Sequence, residues 1–183
     1  DMRRRYGQLP VEQFAVIGLG RLGSKQLTSV SDLDLMFVYD SPSDTRSDGQ
    51  QALEAGRYYN RLSQLIISWL SVQTTKGRLF DVDTRLRPDG RSGALAIHID
   101  RLSAYFTSEA WPWEYCAFLK ARTINTGKTF VTSLQQTLLN IKTSPPAPES
   151  LFEDIRLMRK RLGTEPNAAQ SLKKRPGGFL DAE

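Results

Sequence analysis

Two aspartates one residue apart, at the start of an otherwise apolar strand, constrain this chain more than any other feature. The stretch SDLDLMFVYD (31–40) carries Asp32 and Asp34 ahead of an apolar run. Side chains at i and i+2 of a strand lie on one face, so the two carboxylates share a side while Leu33 and Leu35 face the core. Two such carboxylates repel each other, and Mg²⁺, which takes oxygen ligands, removes that repulsion. Taken alone, the pair also fits a solvated strand end.

A further strand is predicted over residues 77–88, GRLFDVDTRLRP, where apolar and polar residues alternate. The period of two places four charged residues on one face: Asp81, Asp83, Arg85 and Arg87. A carboxylate beside guanidinium groups suits a site for a metal ion and a polyphosphate, because the metal joins carboxylates to phosphate oxygens while arginines pair with the remaining anionic oxygens. The alternative is an ordinary same-face ion pair between Asp83 and Arg85.

The glycine turn before the aspartates has the outline of a dinucleotide-binding motif. Gly18, Gly20 and Gly23 form G-x-G-x-x-G after a strand, and Asp40 closes the next strand. An NAD-dependent oxidoreductase is therefore an alternative. Two observations oppose it. Residues 24–31 are too few for a crossover helix, and a central parallel strand should be apolar throughout.

The same turn can serve phosphate binding in a different way. In GLGRLGS (18–24) the backbone N–H groups and the hydroxyl of Ser24 can approach a phosphate ahead of the aspartate strand. A glycine turn, an Asp-x-Asp and a distant third aspartate together are more specific than any one of them. The combination favours a metal-dependent phosphate chemistry.

Composition sets the broad class. The 183 residues are 39% hydrophobic and 25% charged, typical of a globular protein, and no apolar run reaches the ~20 residues needed to cross a bilayer. The single cysteine, Cys116, fits a reducing cytoplasm, and the single histidine, His98, disfavours a His-based zinc site or a Ser-His-Asp triad. The net charge of +5 favours anionic partners.

The order of predicted elements indicates an α+β core followed by helices. Strands are predicted at 14–20, 32–40 and 77–88, and helices at 21–28, 51–72, 100–108, 112–121, 127–142 and 150–162. The proline-rich stretch TSPPAPES (143–150) is a stiff break. We therefore expect a catalytic core over 1–145 and, over 146–183, a helical extension leading into a truncated following domain.

The remaining aromatic residues and the histidine are expected to have structural roles. Trp111, Trp113 and Tyr115 are expected to pack a helix, and His98 is expected to face solvent from a strand. No catalytic role is predicted for any of them.

Four stretches together resemble one protein family. They are GLGRLGSKQLTSVSDLDLMFVYD, FDVDTRLRPDGRSG, EAWPWEYCAFLKAR and LKKRPGGFLDAE, spread over residues 18–183. The chain resembles the glutamine synthetase adenylyltransferase family and, more broadly, nucleotidyltransferases of the DNA polymerase beta type. The resemblance implies an α+β fold of that type, with a mixed sheet flanked by helices.

Members of that family carry two such nucleotidyltransferase halves. One attaches AMP to a tyrosine of glutamine synthetase, and the other removes it by phosphorolysis. The stretch EAWPWE and the SDG at 47–49 resemble the adenylylating, C-terminal half more closely. The adenylyl-removing half stays as the alternative.

The resemblance also implies roles for the site residues. Asp32 and Asp34 would hold Mg²⁺, with Mn²⁺ as an alternative, and Asp83 would complete a second metal position and orient or deprotonate the tyrosine hydroxyl. ATP is the implied substrate, and five residues would bind its phosphates: Gly23, Ser24, Arg21, Arg85 and Arg87. The implied partners are glutamine synthetase and, for the full-length enzyme, the PII signalling protein, with neither nucleic acid nor membrane.

Overall fold

The computed structural model of the chain describes residues 2–29, 31–75, 77–78, 80–126, 130–144, 148–164, 171 and 175–178. These residues form two compact units. The first contains the described residues up to Ala110 together with Glu114–Ser144, and the second contains Trp111–Trp113 with the described residues from 148 onward. The assignment of 1–145 as a catalytic core and of 146–183 as the start of another domain stays a prediction.

The centre of the first unit is an antiparallel pair of strands. β1 (Phe14–Gly18) pairs with β2 (Leu33–Tyr39) in a register that runs from Phe14 opposite Tyr39 to Gly18 opposite Leu35. Both predicted strands are confirmed. Their antiparallel pairing excludes a βαβ unit between them, because that unit requires parallel strands, so the dinucleotide-binding alternative was wrong.

In the described part of the connection between the two strands there is one short helix. The sequence predicted a helix over 21–28, but α2 spans Gly20–Gly23. Lys25 follows with φ of 60°, a left-handed backbone conformation that cannot continue a right-handed helix. The helix α2 therefore ends after a single turn, and the chain continues towards β2.

The other strands complete a mixed sheet. β3 (Val82–Asp83) and β4 (Ala96–His98) both run parallel to β2, and β5 (Arg122–Thr126) pairs antiparallel with the far edge of β1. The five-stranded sheet has the order β3-β2-β1-β5, with β4 also on β2. The α+β fold class is thus confirmed, whereas β5 was not predicted.

The strand predicted over 77–88 was mostly wrong, because among the described residues of that range only Val82–Asp83 form a strand paired with β2. The chain leaves the sheet after Asp83 and returns at β4, and we call residues 84–95 the edge loop. The backbone N–H of Arg85 donates to Asp83 Oδ1 at 2.8 Å. This local bond turns the chain away from the ladder.

One face of the sheet is covered by α3 (Ala55–Leu70), as the helix predicted over 51–72 required. Alternate residues of β2, among them Leu35 and Phe37, pack here against Tyr59 of α3. The short N-terminal helix α1 (Met2–Tyr6) adds Met2 and Tyr6 to this layer.

The opposite face is covered by helices α4 (Ile99–Ser108), α5 (Pro112–Leu119) and α6 (Val131–Thr143). Ile17 of β1 and Met36 of β2 are fully buried here with Leu102 and Leu134. The helices predicted at 100–108 and 112–121 are confirmed. Of the helix predicted over 127–142, residues 127–129 lie outside the described residues.

In the second unit, α7 (Pro148–Gly163) confirms the helix predicted over 150–162. Within the described ranges, no helix combines the length and apolar character that a bilayer crossing demands.

Candidate functional site

The two aspartates of β2 lie where the buried part of the strand begins. Leu33 and Leu35 are buried in the layer under α3, while Asp32 is exposed and Asp34 half-buried. The predicted alternation is confirmed. On the aspartate face the next residue is Met36, which is already in the core, so the carboxylates stand at the rim of that face.

The third aspartate is the direct neighbour of Asp34 across the sheet. In the parallel pairing of β2 with β3, Asp34 is the register partner of Asp83. Adjacent strands lie about 4.8 Å apart, and partners in register share a face. Three aspartates, Asp32, Asp34 and Asp83, which are separated by up to 51 positions in the chain, therefore stand side by side on one face.

Asp83 has a close basic partner. Arg85 Nε donates to Asp83 Oδ2 at 2.8 Å and to Oδ1 at 3.0 Å, and Nη2 also contacts Oδ2. Hydrogen bonds from the Arg85 side chain hold the pKa of Asp83 below its usual value, although partial burial opposes this. The same contact raises the pKa of Arg85, and the charges of Asp32 and Asp34 contribute to the rise.

The donor chemistry of this face fits a hard divalent cation, since Mg²⁺ takes carboxylate oxygens. As the side chains stand, no three acidic, histidine or cysteine groups among the described residues are arranged to hold a metal ion. Both oxygens of Asp83 accept bonds from Arg85. A cation bound by Asp83 would compete with that partner.

An open cleft runs along these residues at the edge of the sheet. Its lining consists of acidic and basic side chains with few apolar ones: Asp32, Asp81, Val82, Asp83, Thr84, Arg85, Arg87 and Arg91. Arg91 was not predicted as a site residue. Its signal was the turn PDGRSG that follows the third strand, and its charge also lowers the pKa of Asp83.

Arg87 lines the cleft from inside the edge loop. It is buried, with 7% exposure, and donates to the carbonyl oxygens of Ala94 at 3.0 Å and Gly93 at 3.2 Å, and also to that of Thr84. Burial lowers its pKa. These bonds tie both ends of the edge loop together, so the guanidinium is engaged with backbone carbonyls and differs in this from the exposed Arg85.

The glycine turn touches the aspartates through Gly20. Gly20 has φ of +48°, and a Cβ added there would lie 2.2 Å from Asp34 Oδ2. Only glycine allows this approach without a clash. The turn and the carboxylate are therefore packed together, as the composite motif predicted.

Two of the predicted phosphate ligands have other contacts in this turn. Gly23 is buried, and a Cβ there would lie 2.0 Å from the carbonyl oxygen of Lys120. The hydroxyl of Ser24 donates to Gly20 O at 3.1 Å. Arg122 of β5 donates to Gly23 O at 3.0 Å, and so anchors the turn to the sheet.

Arg21 lies apart from the cleft lined by Asp32 and Asp83. Its guanidinium donates to Thr28 Oγ1 at 3.4 Å and to Ser31 Oγ at 3.3 Å. The structure thus brings together the three aspartates, Arg85 and Arg87, and does not bring Arg21 to the same cleft.

The structural expectations for the other residues are partly corrected. Tyr115 is buried, whereas Trp111 is 65% and Trp113 42% exposed, and both tryptophans group with α7 in the second unit. His98 lies on β4 but is half-buried, and its Nδ1 accepts from Asp100 N at 3.2 Å at the start of α4. It caps a helix instead of facing solvent.

Comparison with known proteins identifies the family. The model of the glutamate-ammonia ligase adenylyltransferase family matches residues 3–137. The chain is 37% identical, over its whole length, to the bifunctional glutamine synthetase adenylyltransferase/adenylyl-removing enzyme of Brucella melitensis. It is 38% identical over its whole length to the enzyme of the same name from Xanthomonas campestris, and 35% identical over 98% of its length to that of a Bradyrhizobium species.

The chain covers only part of these enzymes, namely 19%, 20% and 18% of their respective lengths. The mixed α+β sheet and the order of the matched stretches agree with the relationship, and the match extends through the glycine turn, the Asp-x-Asp and Asp83. The chain belongs to the glutamate-ammonia ligase adenylyltransferase family.

Proposed function

We propose that this chain transfers AMP from ATP to a tyrosine hydroxyl of glutamine synthetase in a divalent-cation-dependent reaction. The observation that carries the proposal is the parallel register of β2 and β3, which makes Asp83 the neighbour of Asp34. With Asp32, this makes a one-sided set of carboxylates beside cationic side chains. The names of the relatives supply the substrate.

Each residue has a role in that reaction. Asp32, Asp34 and Asp83 would hold Mg²⁺ or Mn²⁺, which when bound neutralises charge on the phosphates and the attacking oxygen. Asp83 also orients the tyrosine hydroxyl or accepts its proton, because it lies at the open cleft beside the other two aspartates. Arg85 and Arg91 pair with anionic phosphate oxygens.

The remaining predicted ligands act around this centre. We propose that Gly23 and Ser24 shape the turn that meets the leaving phosphates, with Arg21 at its outer side. Arg87 contributes to phosphate binding by holding the edge loop that carries Arg85 and Arg91, through its bonds to Gly93 and Ala94.

The reverse chemistry is the second candidate. Inorganic phosphate would attack the AMP–tyrosine bond, forming ADP and releasing the free hydroxyl. It is a candidate because the relatives are named as enzymes that both attach and remove the adenylyl group. The same carboxylates and arginines would serve this reaction. For the full-length enzyme we propose a cytoplasmic setting and regulation by the PII signalling protein.

An assay with labelled nucleotide separates the two directions. The protein that contains this chain is incubated with Mg²⁺, α-labelled ATP and glutamine synthetase, and in parallel with phosphate and labelled adenylylated glutamine synthetase. We expect label on glutamine synthetase in the first reaction. The reaction that Asp34→Asn abolishes is the one assigned to this chain, so loss of labelled ADP in the second reaction alone would assign the removing activity instead.

Two variants test whether the site carries the activity. Asp34→Asn should reduce the reaction carried by this site by roughly 10²–10³-fold, because a positioned group that stabilises developing charge is typically worth that much. Asp44→Asn is the matched control, an exposed aspartate in the loop before α3, and should leave the rate unchanged. Full activity in Asp34→Asn would refute the proposal.

A further inference from the structure

We infer that Arg85 occupies the position of a divalent cation when no nucleotide is bound, and that it releases Asp83 when metal and triphosphate bind together. The inference rests on the proposed function and extends it to the way the site is kept from binding metal alone. Arg85 is thereby a positioning residue for the cation and a ligand for the phosphates in turn.

The contacts between Asp83 and Arg85 show that the arginine holds this carboxylate. Both oxygens of Asp83 accept bonds from the guanidinium, and the backbone N–H of Arg85 donates to Oδ1 as well. Arg85 thus takes up most of the hydrogen-bonding capacity of this carboxylate, and a cation that bound Asp83 would compete with it.

The charges of the three aspartates favour replacement of Arg85 by a divalent cation. The negative charges of Asp32 and Asp34 act on Arg85 in addition to that of Asp83. Arg85 contributes one positive charge beside these carboxylates, the charge of Arg91 also acts on Asp83, and a divalent cation would supply two charges at shorter distance. Replacement of Arg85 by a metal ion is therefore electrostatically favourable once Arg85 can pair with a phosphate instead.

The different exposure of the two side chains allows Arg85 to move while Asp83 stays in place. The Asp83 side chain is 17% exposed, whereas that of Arg85 is 61% exposed. The carboxylate is fixed by its strand, and the arginine can swing into the open cleft without disturbing the core. There it reaches the side of the cleft that Arg91 lines, where guanidinium groups can pair with phosphate oxygens.

The consequence is a coupling between two ligands. A metal ion alone must displace Arg85 into water, whereas a metal ion with a triphosphate gives Arg85 a new anionic partner. Coupling between ligands is reciprocal, so the triphosphate should raise metal affinity by the same factor by which metal raises triphosphate affinity. Removal of Arg85 should strengthen the binding of metal alone and weaken the coupling.

The test measures Mn²⁺ binding by electron paramagnetic resonance of the free ion, with and without a non-hydrolysable ATP analogue. In the wild-type protein we expect weak Mn²⁺ binding that the analogue strengthens about tenfold or more. Arg85→Gln should bind Mn²⁺ alone about tenfold more tightly than wild type and lose most of the strengthening by the analogue.

Arg91→Gln is the matched control, because it removes one positive charge from the same cleft without touching Asp83. It should raise the affinity for Mn²⁺ alone less than Arg85→Gln does, and should keep the coupling. Equal effects of the two substitutions would overturn the inference, since general electrostatics would then suffice. Arg85→Lys, which keeps the charge but not the bidentate contact, gives the same comparison if Arg85→Gln does not fold.

The outcomes also separate this inference from the proposed function. If the wild-type protein binds no Mn²⁺ even with the analogue, and Asp34→Asn behaves identically, the proposed function fails and this inference with it. If Mn²⁺ binds through Asp34 but Arg85→Gln leaves both the affinity and the coupling at wild-type values, only the role of Arg85 is refuted.

Discussion

At the scale of single residues, the site depends on close approaches that particular side chains either permit or enforce. Gly20 lets the turn lie against Asp34, and the Asp83–Arg85 pair ends the third strand. Arg87 is a buried charged residue that donates hydrogen bonds to the edge loop. These contacts decide where the carboxylates stand, and each can be tested by one substitution.

Gly20→Ala should destabilise the protein and displace Asp34. The new Cβ would meet Asp34 Oδ2 at 2.2 Å, on a backbone with φ of +48°. Gly90→Ala is the control, because Gly90 has φ of +51° but no atom within 4 Å of a Cβ. Both variants share the ~1 kcal/mol cost of left-handed alanine, so urea unfolding should show an additional loss in Gly20→Ala, and equal losses would contradict the predicted clash.

Arg87→Met should loosen the edge loop. The substitution removes the bonds that Arg87 donates to the carbonyls of Thr84, Gly93 and Ala94, and hydrogen bonds to a charged group contribute about 1.5–3 kcal/mol each, so we expect a loss of at least ~2 kcal/mol in the free energy of unfolding. Hydrogen exchange should accelerate in residues 84–95.

The control for that substitution is Arg46→Met. Arg46 is exposed and makes one long bond, 3.4 Å, to the carbonyl of Ala52. It should change stability by less than ~0.5 kcal/mol. A loss in Arg87→Met no larger than this would show that the buried guanidinium does not hold the loop.

At the scale of elements, β2 organises both the core and the site. Helices cover it on both faces, β1 takes one edge, and β3 and β4 take the other on either side of the edge loop. Asn60 of α3 fastens the returning end of that loop, since its Oδ1 accepts from Leu95 N at 2.8 Å and from Ala96 N at 3.2 Å. The packing of α3 thus contributes to the shape of the cleft.

The packing of α3 predicts a specific loss of stability at alkaline pH. Burial raises the pKa of Tyr59 to about 12, while its hydroxyl oxygen accepts a bond from Gln13 N at 3.1 Å. Because the folded-state pKa lies above the unfolded value of 10.0, the contribution is complete below pH 10 and is lost as pH rises towards 12. Tyr59→Phe should therefore lose less stability than wild type between pH 10 and 12.

Circular dichroism during urea unfolding at several pH values measures this difference. Near pH 7 the variant should be about 1 kcal/mol less stable, the usual net worth of a hydrogen bond, while its ring still stacks on Phe14. Tyr39 and Tyr58 also have pKa values raised by burial, so the alkaline effect is reduced and not abolished. Identical pH profiles for the two proteins would contradict the assignment to Tyr59.

At the scale of the whole molecule, nucleotide binding should be visible as thermal stabilisation. A ligand at 100 times its dissociation constant adds about 2.7 kcal/mol, which for a chain of this size corresponds to roughly 5–10 °C in Tm. Mg²⁺ with ATP should raise the Tm of the wild type, and NAD⁺ should not. In Asp34→Asn the shift should disappear, whereas a shift with NAD⁺ alone would contradict the nucleotidyltransferase assignment.

Local patterns predicted the elements whose residues carry a strong period. The strands at 14–20 and 32–40 were found from the sequence as short apolar runs, because both of their faces are buried, and the helix at 51–72 was found from its period of 3.6. β5 was missed because RTINT is an edge strand of mostly polar residues, and only its pairing with β1 makes it a strand.

The sequence by itself determined that Asp32 and Asp34 share a face, since alternation along a strand is a property of the backbone. It also determined the glycine turn that precedes them. Only the tertiary structure decided that Asp83 lies opposite Asp34, that Arg85 grips Asp83, and that Arg87 points inward, although all were predicted on one face. The register between strands depends on hydrogen bonds between residues that are far apart in the chain. The end of a strand depends on local bonds, such as the one from Arg85 N to Asp83. Neither kind of bond produces a periodic pattern in the sequence.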